Sequence, residues 1–169
     1  MAEDKNSFLA IDESLFGHRQ GKQLWIIGAI NTQSKEFRLE GVYERNGENI
    51  KKFITKYIES GNNIITDGWS GYNFLNNNPS YNNICHILGG GDFGFGIQST
   101  SHIESLWSQL KSNIKSCYHV IPNKNLIKFI REVEFKYNSR YKTNEDKIKN
   151  LFEAFKLIND VSDVDFSNF

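Results

Sequence analysis

The alternation of apolar and polar residues predicts three consecutive strands in the first part of the chain. The first apolar run, NSFLAIDES, carries its apolar residues up to Asp12. The runs QLWIIGAINT and KEFRLEGVYE follow it, with the polar stretch QSK between them. Apolar runs joined by short polar connections are typical of an antiparallel meander.

The hydrophobic period then changes from that of a strand to that of a helix. Apolar residues recur at helical spacing from Ile50 to Ile58, and we expect Gly61 to cap this helix. A short strand, NNIITD, follows, and the pattern predicts another one centred on 84–87. Three amphipathic helices complete the chain, and Pro122 separates the first two.

This order of elements predicts an α/β domain in which a strand reached through a crossover extends the meander. The 169 residues are enough for one domain with a substantial core. We expect that domain to occupy 1–142. A C-terminal helix and an acidic tail, 143–169, are expected to pack on it or extend it.

Charge is distributed unevenly along the chain, although its formal sum is zero. Between Ser105 and Asn150, ten lysines and arginines stand against four acids, so this segment is a candidate surface for a polyanion. A solvated helix surface would show the same excess. Two cysteines do not make a disulfide framework, and neither a spanning apolar run nor a signal peptide is evident. We therefore expect an intracellular protein with no membrane partner.

Three acids occupy positions that favour metal chemistry. Asp12 and Asp67 each end a predicted strand beside a crossover, where open α/β sheets hold their ligands. Glu104 opens the long helix and heads a polar, basic stripe that includes Lys111 and Lys115. Converging carboxylates repel each other unless a cation neutralises them, and oxygen ligands favour Mg²⁺ or Mn²⁺ over zinc.

Each acid also has a structural interpretation. Asp12 fits a polar turn, DES, and Asp67 fits a cap on a short helix that begins in GWSGY. The segment SHIE, from Ser101 to Glu104, matches a capping box. Zinc ligands are present as Cys85, His86, Cys117 and His119, but neither pair has the spacing of a zinc knuckle.

Four segments together resemble the DDE transposases of the Merlin superfamily and the bacterial insertion-sequence relatives that share the ISXO2-like transposase domain. They are IDESLFG, ITDGWSGY, IESLWSQLK and FIREVEFKYNSR, and the resemblance extends from about Phe8 to Arg140. It implies an RNase H-like fold with a mixed five-stranded sheet. In that fold, an antiparallel meander and crossover strands are flanked by helices.

By resemblance, Asp12, Asp67 and Glu104 form a catalytic triad that holds two Mg²⁺ or Mn²⁺ ions. Such a site cleaves DNA at transposon ends and transfers the freed strand to target DNA. His86 matches a recurrent histidine on the last strand of the sheet. It either touches the scissile phosphate or satisfies a hydrogen bond in the core, and the core interpretation is favoured.

The resemblance also implies that the chain works on DNA as a homodimer or higher oligomer, in the nucleus or the bacterial cytoplasm according to its host. Trp69 or Trp107 would be able to stack on an unpaired base, although core packing is favoured for both. The candidate contacts with the DNA backbone are basic residues of the helical segment, namely Lys111, Lys115, Lys128, Arg131 and Arg140.

Two departures from the family pattern favour an alternative, a catalytically inactive transposase fold kept as a DNA-binding or assembly module. Relatives often carry a histidine where this chain has Ser99, and His102 is a substitute that points in a different direction. Relatives usually also carry an upstream region that reads the transposon ends. The three intact acids argue against the alternative. A junction resolvase would share the chemistry but not the aromatic segments.

Overall fold

One mixed sheet organises the computed structural model. Its strands are β1 (Phe8–Arg19), β2 (Lys22–Asn31), β3 (Phe37–Val42), β4 (Asn63–Asp67) and β5 (Asn82–His86). They lie side by side in the order β3-β2-β1-β4-β5. Strand β2 is antiparallel to both β1 and β3, whereas β4 is parallel to both β1 and β5. The antiparallel meander is thus extended through a crossover, as the sequence predicts.

The helices are α1 (Gly47–Tyr57), α2 (Ser101–Tyr118), α3 (Asn123–Asn138) and α4 (Asn144–Asp160), with a 3₁₀ helix at Ser70–Leu75. Helix α1 begins where the Asn46 side chain accepts a hydrogen bond from the Asn49 amide at 2.9 Å. It ends at Tyr57, so the expected cap at Gly61 is wrong. With a φ of +95°, Gly61 instead forms the turn that leads into β4.

The structure describes the backbone of residues 8–19, 22–86, 101–118 and 122–160. Within these ranges it describes the side chains of 8–16, 23–82, 101–116, 122 and 125–153. By its internal contacts the chain divides into Met1–Tyr137, which contains the sheet, and Asn138–Phe169, which contains α4. Over the described ranges, no helix combines the length and the apolar character that crossing a membrane requires.

Apolar side chains cover both faces of the sheet, because successive residues of a strand point in opposite directions. On one face, the sheet packs against α2 and α3 through Ile103, Trp107, Leu110, Leu126 and Ile130. On the other face, it packs against α1 and the 3₁₀ helix through Ile50, Phe53, Ile54, Tyr72 and Leu75. Ala10 and Ile65 belong to the first core, and their neighbours Leu9 and Ile64 to the second.

Strand β1 is longer than the sequence predicts. The segment DES is not a polar turn, because antiparallel pairing with β2 continues through Asp12 as far as Arg19 opposite Lys22. Parallel pairing with β4, in contrast, ends at Ala10 opposite Ile65. Asp12 therefore lies just beyond the point where β1 and β4 stop pairing, and not at the end of β1.

Candidate active site

The register of β1 and β4 places Asp12 and Asp67 at equivalent positions. Phe8 pairs with Asn63, an offset of 63 − 8 = 55 residues, and 67 − 12 = 55 is the same offset. Asp12 lies two residues beyond Ala10, and Asp67 two residues beyond Ile65, so both acids point to the face that α2 covers. The sequence prediction that these two strands bring their acids together is therefore consistent with the register.

The carboxyl group of Asp12 is held by an indole. Trp107 Nε1 donates a hydrogen bond to Asp12 Oδ2 at 2.8 Å. Burial raises the pKa of the Asp12 carboxyl to about 6; the hydrogen bond from Trp107 opposes this, and the charges of Glu13 and Asp67 add to it. Because the charge of Asp67 contributes to this shift, the two carboxyl groups lie within electrostatic range of each other.

The Trp107 ring lies over a glycine of the neighbouring strand. Gly28 pairs with Asp12 across β1 and β2. A Cβ atom at Gly28 would lie 2.6 Å from Trp107 Cη2, closer than carbon atoms can approach. The absence of a side chain at this position thus allows the indole to reach Asp12. Trp107 itself is buried, which favours the core-packing interpretation over base stacking.

Asp67 is the last residue of β4 and shapes the turn that follows. Its Oδ1 accepts a hydrogen bond from the Trp69 amide at 3.0 Å. This is the local side-chain-to-backbone bond of an Asx turn. The 3₁₀ helix begins after Trp69, whose own side chain makes no capping hydrogen bond, and Asp67 binds the backbone amide of this N-cap residue.

Glu104 lies in the first turn of α2, three residues before Trp107, and is exposed. Helix α2 already includes Ser101, which the capping-box interpretation placed just before the helix. Successive residues are about 100° apart around a helix axis, so Glu104 and His102 lie on opposite flanks of the buried Ile103. His102 Nε2 lies 3.2 Å from Lys35 Nζ, in the turn between β2 and β3.

The position of His102 indicates the direction of Glu104. Strands β2 and β4 lie on opposite sides of β1. His102 faces the β2–β3 turn, so the opposite flank of α2, which carries Glu104, lies on the β4 side, where Asp67 ends its strand. Burial, followed by the charge of Lys35, lowers the pKa of His102. This histidine therefore has a partner on the flank away from Glu104.

The candidate site residues lie within the part of the chain that matches the model of a known family. The family model of the ISXO2-like transposase domain matches residues 9–138. The chain belongs to this family. No curated protein matches the chain.

Two solved structures are similar to this transposase domain. One is a simian T-cell lymphotropic virus intasome in complex with PP2A regulatory subunit B56 gamma, at 15% identity and a TM-score of 0.51. The match covers 72% of this chain but only 45% of the chain in the intasome structure. The other is the HTLV-2 integrase catalytic core domain in complex with magnesium, at 12% identity over 76% and 82% of the two chains, with a TM-score of 0.48. The likeness to the first supports an RNase H-like α/β fold for the transposase domain.

The donor groups of the transposase domain fit a divalent cation in part. Asp12 is a partly buried acid whose pKa is raised by burial and by two further acids, so a cation bound there would offset unfavourable charge. Carboxylate oxygens are the ligands that Mg²⁺ and Mn²⁺ prefer. Among the described residues, no three acid, histidine or cysteine side chains are grouped closely enough to hold a metal ion. Glu104 as a third ligand therefore stays a prediction.

Several predicted site residues lie outside the described side chains. The backbone of His86 pairs with Asp67 across β4 and β5, but its side chain is outside the described part of the structure. The same applies to the side chains of Cys85 and Cys117, while Ser99 and His119 lie outside the described residues altogether.

The predicted DNA-backbone residues of the transposase domain differ in their contacts. Lys111 is exposed, lies on the Glu104 flank of α2, and places its Nζ 5.4 Å from the Phe16 ring centroid. Lys115, on the same flank, and Lys128, on α3, are also exposed. In the second unit, Arg140 Cζ lies 4.6 Å from the centroid of the Tyr141 ring.

Arg131 is occupied by structural contacts. Its Nη1 donates to the Leu39 carbonyl oxygen at 2.8 Å and to Glu134 Oε2 at 3.2 Å, and its Nη2 donates to Tyr57 Oη at 3.2 Å. These bonds tie α3 to β3 and α1. A structural role therefore competes with the predicted contact between Arg131 and DNA.

A buried charged group lies beside the site and is not among the residues predicted from the sequence. We call it the Glu13 cluster, and it consists of Glu13, Arg45, Trp69 and Tyr72. Glu13 follows Asp12 in β1, so its side chain points to the opposite face of the sheet, where it is 0% exposed. Arg45 Nε and Tyr72 Oη donate to its two oxygens, each at 2.5 Å. An acid next to Asp12 in a buried strand was the available signal, because such a charge needs partners.

Proposed function

We propose that this transposase domain catalyses metal-dependent cleavage and strand transfer of DNA at the ends of a transposon. The observation that carries the proposal is the β1–β4 register, which aligns Asp12 with Asp67 on one sheet face. The raised pKa of Asp12 supports it, because a carboxyl that is costly to ionise alone gains from a bound cation. Within the family, the sequence resembles the Merlin superfamily.

In this proposal, Asp12, Asp67 and Glu104 would hold two Mg²⁺ or Mn²⁺ ions. Such ions lower the pKa of an attacking water or 3′-hydroxyl and offset the charge that develops on the phosphodiester. The domain's own residues orient these ligands. The Trp107 indole orients Asp12 Oδ2 through a hydrogen bond, and the Trp69 amide orients Asp67 Oδ1 in the same way.

The proposed substrate is DNA, bound mainly through its phosphates. Lys111 and Lys115 continue the flank of α2 that begins at Glu104, so they lie where a backbone entering the site would pass. Such contacts position DNA without reading its sequence. We propose that a second copy of the chain joins the complex, so that two transposon ends are processed together.

The test is an in vitro assay with candidate terminal repeats as substrate, in the presence and absence of Mg²⁺ or Mn²⁺. We expect metal-dependent nicking and strand transfer from the wild type. Asp67→Asn should abolish both reactions while circular dichroism shows an unchanged fold. Glu59→Gln, a carboxylate-to-amide change at an exposed position, is the matched control and should retain activity.

Two results would contradict the proposal. Full activity in Asp67→Asn would refute the role of Asp67. Metal-independent DNA binding by a wild type that neither cleaves nor joins DNA under any metal condition would instead favour the inactive DNA-binding module.

A further inference from the structure

The Glu13 cluster lies on the opposite side of the sheet from the candidate active site but directly behind it. Both oxygens of the buried Glu13 carboxylate accept hydrogen bonds, one from Arg45 and one from Tyr72. Tyr72 is itself buried, and burial raises its pKa well above the usual value, so its hydroxyl stays a donor. Charge-assisted bonds of this kind are short and directional. Glu13, and with it the β1 backbone at Asp12, is held in place from behind.

Arg45 also contacts the turn that carries Asp67. Its guanidinium carbon, Cζ, lies 4.1 Å from the centroid of the Trp69 ring, within the range of a cation–π interaction. The amide of the same Trp69 donates to Asp67 Oδ1 at 3.0 Å. Arg45 is thus linked to Asp12 through Glu13, and to Asp67 through Trp69.

Close packing confines the Trp69 ring on a second side. A Cβ atom at Gly71 would lie 2.0 Å from Trp69 Cζ3, so the ring occupies the space that a side chain at position 71 would need. The Tyr72 ring meets it edge-on, with 5.8 Å between the centroids. A ring confined between Arg45, Gly71 and Tyr72 restricts the backbone of Trp69, and thereby the amide that binds Asp67.

Strand pairing alone does not hold Asp12 and Asp67 at a fixed spacing. The paired register of β1 and β4 ends at Ala10 and Ile65, two residues before Asp12 and Asp67. Beyond that point, the spacing of the two acids depends on contacts other than this ladder. Arg45 bridges the two segments at this level from the opposite sheet face.

We propose that Arg45 is a positioning residue that joins the Asp12 segment of β1 to the turn after Asp67 and so keeps the two carboxylates in place for a shared metal ion. This inference rests on the proposed function. Residues that orient metal ligands contribute about 10–100-fold to metal affinity or activity in other metal sites. Removal of Arg45 should therefore act on metal dependence rather than on stability alone.

The test compares two substitutions of Arg45 with a matched control. Arg45→Met removes the charge, whereas Arg45→Lys keeps a cation beside Glu13 but lacks the planar group that stacks on Trp69. Arg38→Met is the control. The Arg38 side chain is 32% exposed, as is that of Arg45, and it is ion-paired with Glu36 and Glu134, outside the Glu13 cluster.

Two measurements are made on the full chain. The first is the Mg²⁺ concentration that gives half-maximal strand cleavage. We expect it to rise about tenfold in Arg45→Met and less in Arg45→Lys, with no change in Arg38→Met. The second is the hydrogen exchange of the Trp69 amide, which needs no activity. It should become faster in both Arg45 variants, beyond any change in global stability, and remain unchanged in Arg38→Met.

The outcomes separate this inference from the proposed function. If the wild type has no metal-dependent activity, the proposed function fails, and amide exchange alone then decides whether Arg45 positions Trp69. Wild-type exchange and wild-type metal dependence in the Arg45 variants would overturn the inference, as would equal changes in Arg38→Met. If Arg45→Met does not fold, the comparison of Arg45→Lys with the wild type decides.

Discussion

Trp107 occupies the space above Gly28 and uses that position to donate a hydrogen bond to Asp12. Gly28 lies directly across from Asp12 in the β1–β2 pair. A residue that carries no side chain thus determines how the carboxyl of its neighbour is oriented. The contact also fixes α2, and with it Glu104, relative to the end of the β1–β4 pairing.

Gly28→Ala should be clearly destabilising. The new Cβ would lie 2.6 Å from the Trp107 ring, and the ring would have to move away from Asp12. We expect a loss of about 1–3 kcal/mol in the free energy of unfolding, the usual cost of overpacking, measured by chemical denaturation. Gly41→Ala is the control, because its nearest neighbour would be Ile127 Cγ1 at 3.4 Å, an ordinary contact. Equal losses in the two variants would contradict this explanation.

Trp107→Phe should raise the pKa of Asp12. The indole N–H stabilises the ionised carboxylate, and phenylalanine keeps most of the ring but no donor. We expect the pKa to move above about 6, as followed by carboxyl ¹³C NMR. Trp25→Phe, which removes an exposed indole bond to Gln23, should leave the titration of Asp12 unchanged. An unchanged Asp12 pKa in Trp107→Phe would contradict this role.

Asp12→Asn should stabilise the metal-free protein in a pH-dependent way. Burial raises the Asp12 pKa from 3.8 to about 6, so the folded state binds this proton more tightly than the unfolded state does. The contribution of Asp12 to the free energy of unfolding is therefore fully present below the unfolded-state pKa of 3.8. It is lost as pH rises through the folded-state pKa of about 6. Asparagine does not ionise and avoids this loss.

We expect the free energy of unfolding of Asp12→Asn to exceed that of the wild type by about 1–3 kcal/mol at about pH 7.5. The partial exposure of the carboxyl limits the difference. The advantage should be much smaller at about pH 4, close to the unfolded pKa of 3.8, and should approach zero below about pH 3, where both states of the wild type protonate Asp12. Unfolding by denaturant in the presence of a chelator measures both values. An advantage of the same size at both pH values would show that its origin is not the ionisation of Asp12.

The basic residues should divide into two classes. Lys111→Gln should weaken DNA binding and reduce the slope of log affinity against log salt by about one phosphate contact, with little change in stability. Arg131→Gln should mainly lower the free energy of unfolding, because it breaks bonds to Leu39, Glu134 and Tyr57. Binding titrations at several salt concentrations, together with denaturation, check both. A full loss of DNA affinity in a stable Arg131→Gln variant would reverse this assignment.

The strands of the sheet, and the placement of Asp12 and Asp67 at one edge of it, were predictable from the sequence, because hydrophobic periodicity identifies the strands and each acid follows the apolar run of its strand. The end of β1 was not predictable from the sequence, because the strand continues as an antiparallel partner of β2 after its pairing with β4 has ended. A run that turns polar at Asp12 looks like the end of a strand. Only the pairing of the whole sheet shows that it continues.

Contacts between distant residues were also inaccessible. Arg45 reaches Glu13 from 32 positions away in the chain, and Tyr72 reaches it from 59 positions away. Neither spacing has a local signature. Similarly, Gly28 lies within a strand and has no positive φ, so nothing in its local sequence indicates that a glycine is required. Its role depends on contact with a helix that begins at Ser101.

The measurement that tests the central claim most directly is diffraction from a crystal soaked in Mn²⁺, with anomalous scattering used to locate the metal. We expect a Mn²⁺ peak between the carboxylates of Asp12 and Asp67, with Glu104 completing the ligands of the site. The peak should disappear in Asp67→Asn crystals that retain the wild-type fold. A well-ordered site without Mn²⁺ at millimolar concentrations, or a peak that persists in Asp67→Asn, would contradict the claim that these aligned acids form the metal centre of the transposase domain.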